Sequence, residues 1–259
     1  MTNRMILSAA LCLAVILGTG ASVQADGRTA HVGEGWDYVI APYIWLMGAD
    51  GDVSIGTTAA HGAPDFGDLV DSIEGGGMGY FSARKGKWGG YVDVTGIELS
   101  TPGAVGAVAA TIDTTMGFVE VGVLYRVDES YWGADGDAVS TDFFFGGRYL
   151  SLESDIKLAG GGHVLGFQDW FDPICGATYN RDFTKKFTVS TSGDVGGIGI
   201  GSDFTWSFEV MGGYRVSPRS NLWFGYRYLN IDYDDGFGAS RFTFDVAIYG
   251  PVLGASFHF

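Results

Sequence analysis

Histidine beside aspartate can activate water for hydrolysis, and the chain offers that pairing twice: His61 lies close to Asp65 and Asp68, and His163 lies between Asp155 and Asp169. Either pair could serve a general-base mechanism at an exposed rim. Histidines beside acids in loops are more often solvated surface residues, and His31 and His258 lie at the ends of the chain. Two other chemical patterns fail on spacing. Gly197-Ile-Gly-Ile-Gly201 is loosely like a phosphate loop, but alternating aromatics follow it where a helix would be needed, so close backbone packing is the better reading. Asp232-Tyr-Asp-Asp-Gly236 is like the start of a calcium loop, but position 243, where a bidentate Glu belongs, is Thr. No metal and no cofactor are expected.

The elements that would hold such residues are set by composition. The chain has 259 residues, with 30 Asp+Glu against 15 Lys+Arg and a formal charge of −15. A phosphate backbone selects basic surfaces, so nucleic acid is excluded as a partner. The 43 glycines are well above the usual share but show no G-X-Y period, and 46% hydrophobic residues is too many for a disordered acidic chain.

Residues 1–25 read as an address. Arg4 precedes the apolar run Met5 to Gly18, and Ala21-Ser-Val-Gln-Ala25 is a small-residue cleavage pattern, as in a secretory signal peptide. Residues 26–259 then form the folded domain. Cys12 follows Leu11 in mid-segment, which does not fit a lipid anchor. Removal of the leader would leave Cys175 as the single thiol, so no intrachain disulfide is expected.

After Ala25 no apolar stretch reaches 18 residues, whereas alternation with period two recurs along most of the chain. From Asp203 to Val216 the even positions carry Phe204, Trp206, Phe208, Val210, Gly212, Tyr214 and Val216, while the odd positions, Met211 apart, are polar or small. Val119, Val121 and Val123 alternate with Glu120 and Gly122 in the same way. Phe242, Phe244, Val246 and Ile248 alternate with Arg241, Thr243 and Asp245. The polar faces hold Gly, Ser, Thr and isolated charges, which suits a crowded barrel interior, so the apolar faces are expected to meet lipid. Aromatics at Trp223 to Tyr226, Tyr228, Tyr38 and Trp45 would form interfacial girdles. The C-terminal Phe257 and Phe259 read as the signature by which a barrel-assembly machinery would recognise the chain. The expected fold is therefore an all-β, transmembrane antiparallel up-and-down β-barrel in the outer membrane.

Turn signals divide the chain into strands near 36–56, 77–85, 87–99, 110–127, 140–158, 166–180, 185–196, 203–216, 221–234 and 240–258, with the first divided by Asp50-Gly51. That is about ten; an exported single-chain barrel needs an even number, which 8 or 12 would also satisfy. Tight turns at 85–87, 182–184 and 217–219 mark the periplasmic side, and the longer segments 57–76, 100–109, 159–165, 197–202 and 235–239 mark the outside. Segment 128–139 is long for a periplasmic turn. The outward parity changes from even to odd near Gly250-Pro251, which predicts a bulge there.

Trp36-Asp-Tyr-Val-Ile-Ala-Pro-Tyr-Ile-Trp45, Ala83-Arg-Lys-Gly-Lys-Trp88, Gly193 to Asp203, Gly225-Tyr-Arg-Tyr-Leu229 and Gly250-Pro-Val-Leu-Gly254 together resemble a bacterial family of uncharacterised outer-membrane β-barrel proteins. The resemblance covers nearly the whole of 26–259. It implies the barrel fold and the outer membrane, and it carries no activity and no catalytic residues.

The inward positions of this barrel would hold Arg84, Asp93, Glu120, Arg126, Arg148, Glu209, Arg215, Arg227 and Asp245. These ions could line a narrow path for small solutes, or pair across the lumen and close it, since unpaired confined charge is costly. Segment 65–74 carries Phe66, Leu69, Val70 and Ile73 on one helical face and would cover the mouth or rest on the rim. The acids Asp232, Asp234 and Asp235 give the outer surface a negative field facing lipopolysaccharide. The expected role is a non-enzymatic structural barrel or narrow passive pore in contact with outer-membrane lipid. A rim hydrolase using His61 or His163, and a surface-binding barrel acting through 57–76, are its rivals.

Overall fold

Long alternating segments with glycine at the turns leave each strand's backbone groups to be satisfied by its neighbours, and a sheet with an apolar outer face satisfies them all only by closing. The computed structural model describes residues 35–55, 58–62, 73–105, 108–132 and 137–259. The leader and most of the expected amphipathic segment 65–74 lie outside these residues, and Ile73 and Glu74 open a strand. The strands are β1 (Trp36–Trp45), β2 (Gly48–Ile55), β3 (Thr58–Gly62), β4 (Ile73–Lys85), β5 (Trp88–Val105), β6 (Val108–Trp132), β7 (Asp137–Leu158), β8 (His163–Asp182), β9 (Phe187–Gly196), β10 (Phe204–Ser217), β11 (Ser220–Asp235) and β12 (Phe242–His258).

Ten of them close the barrel. β4 through β12 pair antiparallel in chain order, β4 pairs with β1, and β1 pairs with β12 through Val39↔His258 and Trp45↔Val252. β2 continues the line of β1 along β12, and β3 folds back on β2. The first expected strand is thus divided at Leu46–Met47 and not at Asp50-Gly51. At the division the Leu46 amide donates to the Pro251 carbonyl at 2.9 Å. Leu46 passes so close to Gly250 that a Cβ there would stand 1.9 Å from the Leu46 oxygen, which explains the glycine.

The other expected strands are present, several of them longer than their sequence pattern indicates. Segment 128–139 extends the β6–β7 ladder to Trp132↔Asp137, after a register shift between Arg126 and Asp128. Segment 100–109 extends β5 and β6 to Val105↔Val108. β6 has 25 residues, roughly 80 Å of strand, where about 10 residues cross a bilayer. On the loop side β8 outruns β9, whose pairing with it stops at Ile174, so β5 to β8 project as a four-stranded sheet.

Outside, the barrel is apolar. Phe204, Phe208, Tyr214 and Val216 of β10 are exposed, as are Val121 and Val123 of β6 and Leu222, Phe224 and Tyr226 of β11. Such a belt on the convex face is the lipid-facing surface of a membrane barrel. Stacked rings mark two levels: Trp36, Tyr38 and Phe81 at the turn end, and Trp206, Tyr228 and Tyr249 nearer the loops. Trp45 and Trp223, expected in these girdles, point inward. Trp45 is buried and Trp223 Nε1 donates to Ser256 Oγ at 2.9 Å.

The expected parity switch on β12 is overturned. β12 keeps one register with β11 from Ser220↔Phe257 to Asp235↔Phe242, with no bulge at Gly250. Phe244, Val246, Ile248 and Val252 all face inward, and Leu253 and Phe257 face out. Asp245 is accordingly exposed on the outer surface, between Asp52 and Asp232 of the adjoining strands, and does not line the lumen.

Candidate functional site

The lumen has three levels. At the turn end Arg126 forms a bidentate pair with Asp142, Nε to Oδ1 at 2.8 Å and Nη2 to Oδ2 at 3.0 Å, and Arg84 reaches the same carboxylate at 3.0 Å. Arg126 also contacts Glu129 at 3.3 Å, and Arg215 lies 3.7 Å from Asp182. The β6–β7 ladder places Arg126 and Asp142 opposite each other, as cross-strand partners just before the register shift.

The middle level crosses the barrel. Arg148 of β7 is fully buried; its Nε donates to Glu120 at 2.8 Å and its Nη2 to both Asp194 oxygens at 2.9 and 3.0 Å. Its Nη1 reaches Thr205 Oγ1 at 3.3 Å, and Ser207 donates to Asp194. Arg227 of β11 reaches Glu120 at 3.0 Å and Asp93 at 3.3 Å, with its guanidinium over the Trp45 ring. The Tyr43 hydroxyl donates to Asp93 at 2.7 Å. Residues from seven strands are thereby tied into one network, and buried charges arranged in this way are individually paired and hydrogen-bonded.

Above this network the lumen is greasy. Phe118, Leu150, Trp170, Leu229, Ile231 and Phe244 belong to one buried cluster with Ile97, Tyr233, Val246 and Ile248. The Trp170 and Tyr233 rings stack with centroids 4.2 Å apart, and Gln168 donates to the Tyr233 hydroxyl at 2.9 Å. The glycine-rich turn 197–202 closes one side. Asp172 accepts from the Ser202 amide at 2.6 Å and from its hydroxyl at 2.8 Å, while Trp170 Nε1 donates to Ser202 Oγ at 2.9 Å. Gly201 sits at φ +76°, and a Cβ there would lie 2.2 Å from the Phe171 oxygen. Backbone packing, not phosphate binding, accounts for Gly197 to Gly201.

Below the network a cavity of about 590 Å³ opens at the turn end among Trp36, Pro218 and Phe259, and runs up to Asp93, Glu120 and Arg227. By the rule that short turns face the periplasm, this mouth is periplasmic.

Eight of the nine charged residues expected inside are inside: Arg84, Asp93, Glu120, Arg126, Arg148, Glu209, Arg215 and Arg227. Their partners Asp142, Asp182 and Asp194 escaped sequence reading. Asp142 shares the even parity of Arg148 on β7, a signal that was available; Asp194 lies in a strand of small polar residues with no strong alternation. The two candidate histidines are not brought together. His61 pairs in register with Asp52 on the β2–β3 hairpin, and His163 pairs with Lys157 on β7–β8. Asp169 faces outward and accepts from the Tyr149 hydroxyl, and Asp65 and Asp68 lie outside the described residues. At the seam, the amide of Phe259 donates to the Tyr38 carbonyl at 3.0 Å, and Phe257 and Phe259 both lie exposed on the outer face.

This is the fold of the bacterial outer-membrane β-barrels. No family model matches the chain, and no curated protein sequence does. Among solved structures, the outer membrane protease OmpT from Escherichia coli is similar with a TM-score of 0.53 at 7% identity, covering 90% of this chain and 100% of that one. Ail, the attachment invasion locus protein of Yersinia pestis, gives 0.39 at 13% identity over 88% and 100%. Neisserial surface protein A gives 0.33 at 16% identity over 86% and 99%.

Proposed function

We propose that the protein is a non-enzymatic structural barrel of the outer membrane whose lumen is closed to solutes, exported after loss of residues 1–25. The carrying observation is the buried cluster around Trp170, Tyr233 and Phe244, which fills the loop half of the lumen above an ionic network that already spans it. Of the two roles open to the inward charges, pairing accounts for them better than conduction, because four of the five inward arginines have a carboxylate within 3.3 Å. Its surroundings would be outer-membrane lipid and lipopolysaccharide, and the exposed terminal Phe257 and Phe259 would present the assembly signal. Planar-bilayer recording of the refolded protein under a salt gradient tests the proposal: a silent, inserted barrel is expected. Regular conductance steps that change on Arg227→Ala would overturn it.

One observation favours a second reading as a surface-binding barrel, the four-stranded projection of β5 to β8 beyond the membrane belt. Shortening the β5–β6 and β7–β8 hairpins should then abolish adhesion of cells displaying the protein while leaving the barrel folded. Unchanged adhesion would remove this reading.

A further inference from the structure

The periplasmic cavity holds a carboxylate that the ionic network does not use. Glu209 of β10 lies cross-strand between Ser192 of β9 and Arg227 of β11. Arg227, its natural partner, turns away to Asp93 and Glu120 on the far wall. Among the described residues Glu209 is left with no ion pair and no hydrogen bond, although the barrel wall surrounds it and only the cavity wets it.

Charge balance points the same way. Seven carboxylates and four guanidiniums line the cavity, and the buried Arg148 behind its wall brings the cations to five. A confined, partly dehydrated space with excess negative charge favours a cation. Among the described residues, the buried hydroxyls of Tyr91 and Ser140 on this wall also lack a hydrogen-bond partner; the two residues are 7% and 0% exposed. The Tyr91 ring packs edge-on against Phe144 and beside Tyr80, and such faces suit both the alkyl stem and the charge of an ammonium ion. Arg84, Arg126 and Arg215 are held by Asp142, Glu129 and Asp182 nearer the mouth, which leaves the inner end to Glu209.

We propose that the cavity is a binding site, entered from the periplasm, for a small organic cation with a primary ammonium group and a short apolar stem, and that Glu209 is its counter-ion. The stem lies along Tyr80, Tyr91 and Phe144, and the ammonium donates to Glu209. The site does not depend on whether the lumen conducts, so bilayer recordings and binding data judge the two proposals separately.

Calorimetric titration of the refolded barrel in neutral detergent, with butylammonium and with butyrate as its anionic counterpart of equal length, tests the assignment. Saturable one-to-one binding of butylammonium is expected, with none of butyrate. Glu209→Gln should weaken it at least tenfold, while Glu153→Gln, on β7 away from the cavity, leaves it unchanged. Heat-modifiable migration on gels establishes that each variant is folded. If Glu209→Gln does not fold, Ser192→Lys serves, since it sets a tethered ammonium beside Glu209 and should abolish binding. Non-saturating heats, equal heats for both ions, or an affinity indifferent to Glu209→Gln or Ser192→Lys would overturn the proposal.

Discussion

The guanidinium of Arg227 on β11 crosses the lumen to Oε1 of Glu120 on β6 at 3.0 Å, and the same oxygen accepts from Arg148 Nε at 2.8 Å, although Arg227 and Glu120 are 107 positions apart in the chain. One carboxylate therefore joins opposite walls of the barrel. The network is satisfied only while both arginines are present, which sets the energetics of every substitution within it.

Arg148→Met should be severely destabilising. It leaves Glu120 with one partner and Asp194 with only the Ser207 hydroxyl, both inside the barrel. Removing one member of a buried pair costs about 3–5 kcal/mol. Urea unfolding of the refolded protein in liposomes, followed by tryptophan fluorescence, should show that loss. A change under about 1 kcal/mol would mean that water already screens the network.

Opening the lumen should require removal of the aromatic layer. Trp170→Ala, Tyr233→Ala and Phe244→Ala together delete three rings that pack on one another, Trp170 to Phe244 at 5.8 Å and Trp170 to Tyr233 at 4.2 Å. Each large-to-small change costs about 3–5 kcal/mol, so the triple variant needs a folding control. Conductance absent in the wild-type protein should appear in the folded variant, and Trp170→Phe should stay silent. A silent, folded triple variant would place the seal at the ionic network alone.

The same aromatic layer shows where sequence reading stops. Alternation along β10 and β6 gave the correct outward face, because most of the apolar residues of the alternating stretches, Val121 and Val123 on β6 and Phe204, Phe208 and Val210 on β10, meet lipid. On β12 it failed. Beyond the membrane belt the outer face meets water, so Thr243 and Asp245 lie outside while Phe244, Val246 and Ile248 fill the lumen. Period two divides a strand into two faces without saying which is inside, and only the partner strands decide. Most of the inward charges were legible from parity, but their pairing was not, since Arg227 meets Asp93 and Glu120 through barrel closure and not through local spacing. Glu209 was legible as an inward acid, and its lack of a partner was not.

The lipid belt can be tested at the one cysteine that follows residue 25. Cys175 is exposed on the outer face, cross-strand between Phe145 and Val195, both of them exposed as well. In a bilayer that thiol is surrounded by acyl chains, where a charged maleimide does not partition. The protein in liposomes should resist a sulfonated maleimide and react fully once unfolded. Rapid labelling of the folded, inserted protein would place β8 outside the hydrocarbon.

At the loop end, the Asp234–Arg241 pair should hold the connection between β11 and β12. Arg241 Nε donates to Asp234 Oδ1 at 2.9 Å and Nη2 donates to Oδ2. Hydrogen bonding from Arg241 lowers the pKa of Asp234 below its ordinary value, and the attraction of the guanidinium adds to this. A carboxylate depressed in this way contributes order at all pH values above the unfolded value, near 3.9, and loses it as pH falls through the lower folded value. The pair is exposed, so the effect is small and salt weakens it further. Carboxyl-carbon NMR in micelles should show Asp234 titrating below pH 4 at low salt and moving toward the ordinary value in 1 M salt. At neutral pH, Asp234→Asn should speed trypsin cleavage after Arg241. A midpoint at or above the ordinary aspartate value, with cleavage unchanged in Asp234→Asn, would mean that the turn Gly238–Ser240 holds the connection by itself.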